Sequence, residues 1–145
     1  LEGTITRMQA RLERRPDDAA AAVALAQALV RKSRLTGDGG LVRRADRALQ
    51  AVLEHDPSNY LAEQTRAVLL LSAHRFAQAV EVAERCRRAR PLDPVNFGII
   101  GDGHLELGHY ELAFEAFDRM MQLRPSAAAY ARVAYARELQ GDLYG

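Results

Sequence analysis

The chain has 145 residues, of which 48% are hydrophobic and 27% are charged. This composition is typical of a folded globular protein and unlike that of a disordered chain. The formal net charge of +1 argues against a strongly basic nucleic-acid-binding protein. The single cysteine, Cys86, excludes a disulfide within the chain and a cysteine-based zinc site. No apolar run is long enough to span a membrane, and the N-terminal residues show no signal-peptide pattern.

Apolar residues recur at helical spacing along the whole chain, as at Leu61, Thr65, Val68 and Leu71. Short breakers that contain proline or glycine interrupt this pattern. The spacing predicts eight helices in antiparallel hairpins, at residues 3–14, 19–35, 41–55, 59–73, 75–89, 94–107, 110–123 and 127–139. We expect the breaker Asp38-Gly39-Gly40 to be a flexible insertion, because it lacks the ligand pattern of a calcium loop.

The prolines reveal an internal repeat, because Pro57, Pro91 and Pro125 are spaced by 34 residues. When residues 60–93 are laid over 94–127, small, aromatic and alanine positions coincide. These matches are Ala67 with Gly101, Phe76 with Tyr110, Ala79 with Ala113 and Ala83 with Phe117. Residues 19–59 fit the same pattern with a seven-residue insertion around Thr36 to Gly40.

With these residues, the chain resembles a tetratricopeptide repeat (TPR) protein. The third repeat carries the pattern most fully, with Phe97, Ile100-Gly101, Tyr110, Ala113, Phe117 and Pro125 in phase. The resemblance implies an all-α TPR helix-hairpin solenoid, a right-handed superhelix of about three full repeats with partial repeats at both ends. In it, Gly101, Ala67, Ala26 and Ala134 would lie at close helix crossings, Phe76 and Tyr110 would plug the turns, and Phe97 and Phe117 would fill the space between repeats.

We expect one TPR domain over 1–145. It divides into a partial leading repeat (1–18), three repeats (19–59, 60–93 and 94–127) and the first helix of a truncated repeat (128–145). The resemblance places the first helix of each repeat along a concave groove, in which a partner peptide or helix would bind. The groove positions are Gln27, Arg31, Gln64, Val68, Leu71, Ile99, Asp102, Leu105, Glu106, Arg132 and Tyr135.

Several of these positions have two interpretations. Val68, Leu71 and Leu105 either pack against neighbouring first helices or contact a ligand. The Lys and Asn residues with which one TPR subclass clamps a C-terminal carboxylate are replaced here by Gln64, Val68, Gly98 and Asp102. An apolar middle flanked by acidic residues and arginines instead suits an amphipathic helix or an extended apolar peptide.

Two other clusters suggest chemistry. Asp102, His104, Glu106 and His109 invite a metal-dependent or acid–base interpretation, but His104 points away from Asp102 on a helix, and no His pair has the i, i+4 spacing of a helical zinc site. We therefore expect no metal, no cofactor and no catalytic residue. We expect His104 to be a partly buried core histidine and Cys86 to be a buried structural thiol. The run Arg85 to Arg90 ends a helix, where cations suit the dipole, and a patch for an anionic partner or RNA is the alternative.

The predicted helix 127–139 lacks a following partner helix. Its face with Tyr130, Val133, Ala134 and Arg137, and Leu143 and Tyr144 beyond, would normally be covered. The natural protein is therefore expected to continue past Gly145, or this end pairs with a second copy. We predict a non-enzymatic scaffold or adaptor for another protein, in the bacterial cytoplasm or, after removal of a signal peptide, the periplasm. The alternative is a regulatory or self-assembly domain of a larger protein.

Overall fold

A computed structural model describes residues 1–141 of the chain, and these residues form eight α-helices and no strand. Each predicted helix is present, with its ends shifted by two residues at most. The all-α fold class is therefore confirmed. The helices are α1 (Glu2–Arg14), α2 (Ala19–Thr36), α3 (Gly39–His55), α4 (Tyr60–Ser72), α5 (Phe76–Ala89), α6 (Pro94–Glu106), α7 (Tyr110–Leu123) and α8 (Ala127–Leu139).

Short polar side chains start most of these helices. Such a side chain accepts a hydrogen bond from a backbone N–H of the first helical turn. That N–H has no acceptor within the helix. In the turns that contain Pro57 and Pro125, Asn59 accepts from Ala62 at 3.0 Å and Ser126 accepts from Ala129 at 3.1 Å. The other caps of this kind are Asp18 at α2, Asp38 at α3 and Asp93 at α6.

The segment Asp38-Gly39-Gly40 is not a flexible insertion, and that expectation is wrong. Gly37 ends α2 in the left-handed conformation, with φ of 75°. Asp38 then caps α3, because its Oδ1 accepts the N–H of Gly40 at 2.9 Å, and Gly39 is already helical. The extra residues of this repeat therefore lengthen its two helices, to 18 residues in α2 and 17 in α3.

The chain forms two compact units, one from Leu1 to Arg75 and one from Phe76 onward. Unit 1 contains α1–α4, and unit 2 contains α5–α8. The division lies between the two helices of the predicted repeat 60–93. The predicted repeat boundaries remain a prediction.

Unit 1 has one apolar core that all four of its helices build. Ile5 of α1, Leu29 of α2, Leu49 of α3 and Leu69 of α4 are all buried in it. Three alanines of this unit have no exposed surface: Ala26, Ala45 and Ala67. Small buried side chains allow neighbouring helix axes to come close together, which is the role that the repeat pattern predicts for Ala26 and Ala67.

Unit 2 shows the close helix crossing most clearly. Phe117 of α7 is 1% exposed, and its ring fills the space above Gly101 of α6. One other expectation for this unit is wrong. Tyr110 does not plug its turn, since it is 52% exposed and stacks on Phe114 with ring centroids 6.3 Å apart. Ala134 is exposed on α8, and its predicted crossing with a following helix remains a prediction.

Candidate functional site

The predicted groove residues divide between the two units. Five belong to α2 and α4 of unit 1, and we call their surroundings the α2–α4 surface: Gln27, Arg31, Gln64, Val68 and Leu71. Six belong to α6 and α8 of unit 2, and we call their surroundings the α6–α8 surface: Ile99, Asp102, Leu105, Glu106, Arg132 and Tyr135.

Polar side chains join the two helices of the α2–α4 surface. Gln27 Nε2 donates to Thr65 Oγ1 at 3.3 Å, and Arg34 Nε donates to Ser72 Oγ at 3.1 Å. The two bonds lie seven residues apart on each helix, about two turns, so they hold α2 and α4 side by side. Gln27 and Arg34 nevertheless keep exposed surface, and neither of them is bonded to a carboxylate here.

The apolar part of the α2–α4 surface lies on α4. Val68 is half-buried and packs against the core of unit 1, and Leu71 is also half-buried. Leu61, which the repeat pattern did not indicate as a binding residue, is 52% exposed. Residues 61, 64, 68 and 71 follow i, i+3/i+4 spacing and share one face of α4. This face therefore offers a ligand an apolar strip that is only partly used by the core.

The charged side chains of the α2–α4 surface are mainly positive. Helix α2 contains no Asp or Glu, and α4 contains only Glu63, in its first turn. Arg31 and Arg34 are exposed on α2, whereas Lys32 pairs with Glu2 of α1. The apolar strip of α4 thus lies beside the guanidinium groups of Arg31 and Arg34. Helix α2 has no carboxylate that could pair with them.

The α6–α8 surface is built around an ion pair that the repeat pattern did not predict. Arg132 Nε donates to Asp102 Oδ1 at 2.9 Å, and Arg132 Nη2 donates to Asp102 Oδ2 at 2.8 Å. This two-pronged contact matches the planar guanidinium to the carboxylate. The hydrogen bonds with Asp102 raise the pKa of Arg132 further above its usual value. Both residues were predicted to face a ligand, and the structure instead pairs them with each other.

Gly98 lies next to this ion pair. Gly98 and Asp102 are one helical turn apart on the same face of α6. A Cβ at Gly98 would lie 3.7 Å from Arg132 Cζ, an ordinary contact distance, and 3.2 Å from the end of the Met120 side chain, a tight one. The close packing at Gly98 is therefore against Met120 of α7, and the guanidinium of Arg132 lies beside it.

The other predicted residues of the α6–α8 surface differ in exposure. Ile99 is only 5% exposed, so a ligand cannot reach its side chain as the groove prediction requires. Leu105 is half-buried and packs against the cluster formed by Ala113, Phe117 and Ala136. Glu106 is exposed, and Tyr135 is 49% exposed. Leu105, Glu106 and Tyr135 are therefore the ligand-accessible part of this surface.

Helix α8 also carries exposed apolar residues. Tyr130 is 62% exposed and Leu139 is 45% exposed, and their spacing of nine residues places them on opposite sides of the helix. Ala134, one turn after Tyr130 on the same face, is also exposed, whereas Ala129 and Ala136 are buried. Ser126 caps the helix, so its start is well defined. Leu143 and Tyr144, which were expected to extend this face, lie outside the described residues.

Two histidines meet at the turn between α6 and α7. The Nδ1 atoms of His104 and His109 are 3.2 Å apart, although the residues do not share a helix. His104 also lines a cavity of about 180 Å³, together with Glu84, Arg87 and Glu115. Burial, followed by the neighbouring His109, lowers the pKa of His104, whereas Glu84 opposes that shift. His104 is half-buried, in agreement with its predicted structural role.

The arginine run at the end of α5 is partly neutralised. Arg87 Nε donates to Glu84 at 2.7 Å, and Arg85 lies 4.0 Å from Glu81. Arg88 and Arg90 are exposed. Cys86, within the same run, is 3% exposed, in agreement with the expected buried thiol.

Across residues 1–141, no three His, Cys, Asp or Glu side chains are grouped so that they could hold a metal ion. In the same part of the chain, no helix has the length and apolar character needed to cross a membrane.

The arrangement of helix hairpins defines a helical repeat protein, and solved structures identify the type of repeat. The chain is similar to TTC0263, a thermophilic TPR protein of Thermus thermophilus, with a TM-score of 0.79 and 18% identity over 94% of this chain and 73% of that one. It is similar to MamA (residue 41 to the end) from Desulfovibrio magneticus RS-1, with a TM-score of 0.75 and 19% identity over 97% and 76%.

A third similar structure is the first TPR domain of human RPAP3, with a TM-score of 0.65 and 17% identity over 83% of this chain and 95% of that domain. No family model and no curated protein sequence matches the chain. At these identities the likeness establishes the fold, so the chain has the all-α TPR fold that the 34-residue spacing predicted.

Proposed function

We propose that the chain is a non-catalytic protein-binding module, in which first helices of the TPR hairpins hold a segment of a partner protein. The observation that carries this proposal is the α2–α4 surface. It combines a partly exposed apolar strip on α4 with Arg31 and Arg34 on α2. The TPR fold, which the chain shares with the MamA, TTC0263 and RPAP3 structures, supports the proposal, because stacked helix hairpins present an extended, preformed surface to a partner.

The surface also indicates the chemistry of the partner. An amphipathic segment could place apolar side chains on Leu61, Val68 and Leu71 and acidic side chains beside Arg31 and Arg34. Opposite charge at the edge of an apolar contact accelerates association and selects against basic partners. We therefore expect a helix or extended peptide that is apolar on one side and acidic on the other.

The experiment is affinity capture with the whole chain as bait, using a lysate of the source organism and mass spectrometry. One variant carries Val68→Glu and Leu71→Glu, and a second carries Arg31→Glu and Arg34→Glu. The control carries Arg43→Glu and Arg47→Glu, an equal charge reversal at exposed positions of α3. Circular dichroism establishes that each bait is folded.

We expect a partner that the wild type and the α3 control capture and that both α2–α4 variants lose. A synthetic peptide from that partner should then bind the wild type more weakly as salt is raised. Capture of the same partner by all four baits would contradict the α2–α4 surface as the binding site. In that case binding would run through another surface, such as Leu105, Glu106 and Tyr135.

Self-association is a second candidate function, and the face of α8 with Tyr130 and Ala134 favours it. These two residues are one helical turn apart, and both are exposed, so a second copy of the chain could cover them. Light scattering coupled to gel filtration would measure the mass in solution. A dimer that Tyr130→Glu converts to a monomer would support this candidate, and a monomeric wild type would eliminate it. The bacterial cytoplasmic location remains a prediction from the sequence.

A further inference from the structure

We propose that His104 and His109 form a two-nitrogen binding site for a divalent transition metal such as Zn²⁺. The Nδ1 atoms of the two rings are 3.2 Å apart, with ring centroids at 5.4 Å and ring planes tilted by 48°. The inference concerns a different part of the molecule from the α2–α4 surface and does not depend on the proposed function.

The spacing of the two nitrogens matches the requirement of the metal. Zinc binds imidazole nitrogen at roughly 2.0–2.1 Å, so two ligands of a tetrahedral ion lie about 3.3 Å apart. Without a metal, two neutral rings at this distance share one Nδ1 proton as an N–H···N hydrogen bond. On metal binding that proton moves to Nε2 of the same ring, and both Nδ1 lone pairs become ligands.

The backbone between the two histidines holds them in place. His104 lies in the last turn of α6, and the N–H of His109 donates to its carbonyl oxygen at 2.8 Å. The N–H of Gly108 donates to Leu105 at 3.1 Å, and Gly108 has φ of 81°. This left-handed glycine turn brings together residues that are five apart in sequence. A metal therefore meets two ligands whose backbones are already positioned.

Imidazole binds metal in its neutral form. The contact between the two Nδ1 atoms requires at least one of them to accept a hydrogen bond, so at least one of the two rings is neutral. Glu84 and Glu115 line the same cavity as His104, and Glu84 is paired there with Arg87. Since no third ligand joins the pair within residues 1–141, water or a side chain of a partner would complete the coordination. The site is therefore an open, exchangeable one rather than a closed structural zinc site.

The test is a calorimetric titration of the intact, metal-free chain with zinc chloride, supported by cobalt absorption spectra. We expect one zinc ion per chain and a loss of at least tenfold in affinity in His104→Ala and in His109→Ala. His55→Ala and His74→Asn serve as controls, because these are the other two histidines of the chain and should leave binding unchanged.

His109→Ala is the decisive variant if His104→Ala unfolds. His109 is exposed, and its side chain makes no cap hydrogen bond at the start of α7. Absence of zinc binding to the wild type would overturn the proposal. Equal zinc affinity in the wild type and in folded His109→Ala would also overturn it, because the metal would then bind elsewhere.

Discussion

The ring of Phe117 lies directly against the backbone of Gly101. A Cβ at position 101 would lie 2.3 Å from Phe117 Cε1 and 2.5 Å from Cδ1, which is closer than non-bonded carbon atoms approach. Phe117 is 1% exposed and cannot move aside without disturbing its neighbours. The contact fixes the distance between α6 and α7.

Gly101→Ala is therefore expected to destabilise unit 2. Overpacking of this kind costs about 1–3 kcal/mol, more than the gain in helix propensity from glycine to alanine. The free energy of unfolding from urea titrations monitored by circular dichroism is the measurement. Gly39→Ala is the matched control, because no atom would lie within 4 Å of its added Cβ. An equally stable Gly101→Ala would contradict the described packing.

The ion pair between Asp102 and Arg132 should contribute modestly and depend on salt. Its side chains are 34% and 30% exposed, so solvent screens the charges, and we expect a coupling of about 0.5–1 kcal/mol. A double-mutant cycle with Asp102→Asn and Arg132→Met isolates that coupling. In 1 M NaCl the coupling should decrease. A coupling of zero at low salt would show that the pair does not connect α6 and α8 in solution.

The stability of unit 2 should fall below pH 6.5 because of His104. Its pKa is lowered in the folded state from the ordinary value of 6.5, so the unfolded chain binds the proton first. The contribution of the neutral His104 ring to the free energy of unfolding is fully present above pH 6.5. It decreases as the pH falls toward the lower pKa that His104 has in the folded state. The groups facing His104 are Glu84 and Arg87 of α5, Glu115 of α7 and the His109 ring.

Thermal melting of the wild type and His104→Gln at pH 7.5 and pH 5.5 would measure this effect. The melting temperature of the wild type should fall more between the two pH values than that of His104→Gln. His55→Gln is the control and should behave as the wild type. Identical pH dependence in all three proteins would exclude His104 as the source.

Cys86 should react slowly with thiol reagents in the native protein. It is 3% exposed, and a disulfide-exchange reagent such as DTNB needs access to the sulfur. We expect little reaction in buffer and one thiol per chain in denaturant, as followed by absorbance. Rapid, complete reaction of the native protein would show that α5 opens readily.

Much of the fold follows from short-range features of the sequence. The breakers mark the helix ends because Asn59 and Ser126 can cap a helix and prolines cannot continue one. The spacing of Pro57, Pro91 and Pro125 locates the small residues at the helix crossings. At Gly101 the repeat pattern predicts the reason for glycine as well, because a neighbouring helix needs the space.

The binding surfaces could be predicted only in outline. Helical periodicity places Asp102 and Arg132 on accessible faces, but their contact joins residues that are 30 apart in sequence and lie on different helices. The His104 and His109 pair was missed for a similar reason. Its partners approach through a left-handed turn and not through the spacing of one helix. Burial of Ile99 depends on packing that the sequence pattern does not resolve.

The greater length of α2 compared with α4 has a practical consequence. Helix α2 is five residues longer than α4, which at 1.5 Å per residue amounts to roughly 7 Å. Leu35, near the end of α2, is 75% exposed, and no atom lies near a Cβ added at Gly37 or Gly39. A fluorophore or spin label attached to a cysteine at this position (Leu35→Cys) would therefore report on ligand binding and on distances within unit 1. The core of the unit would remain intact.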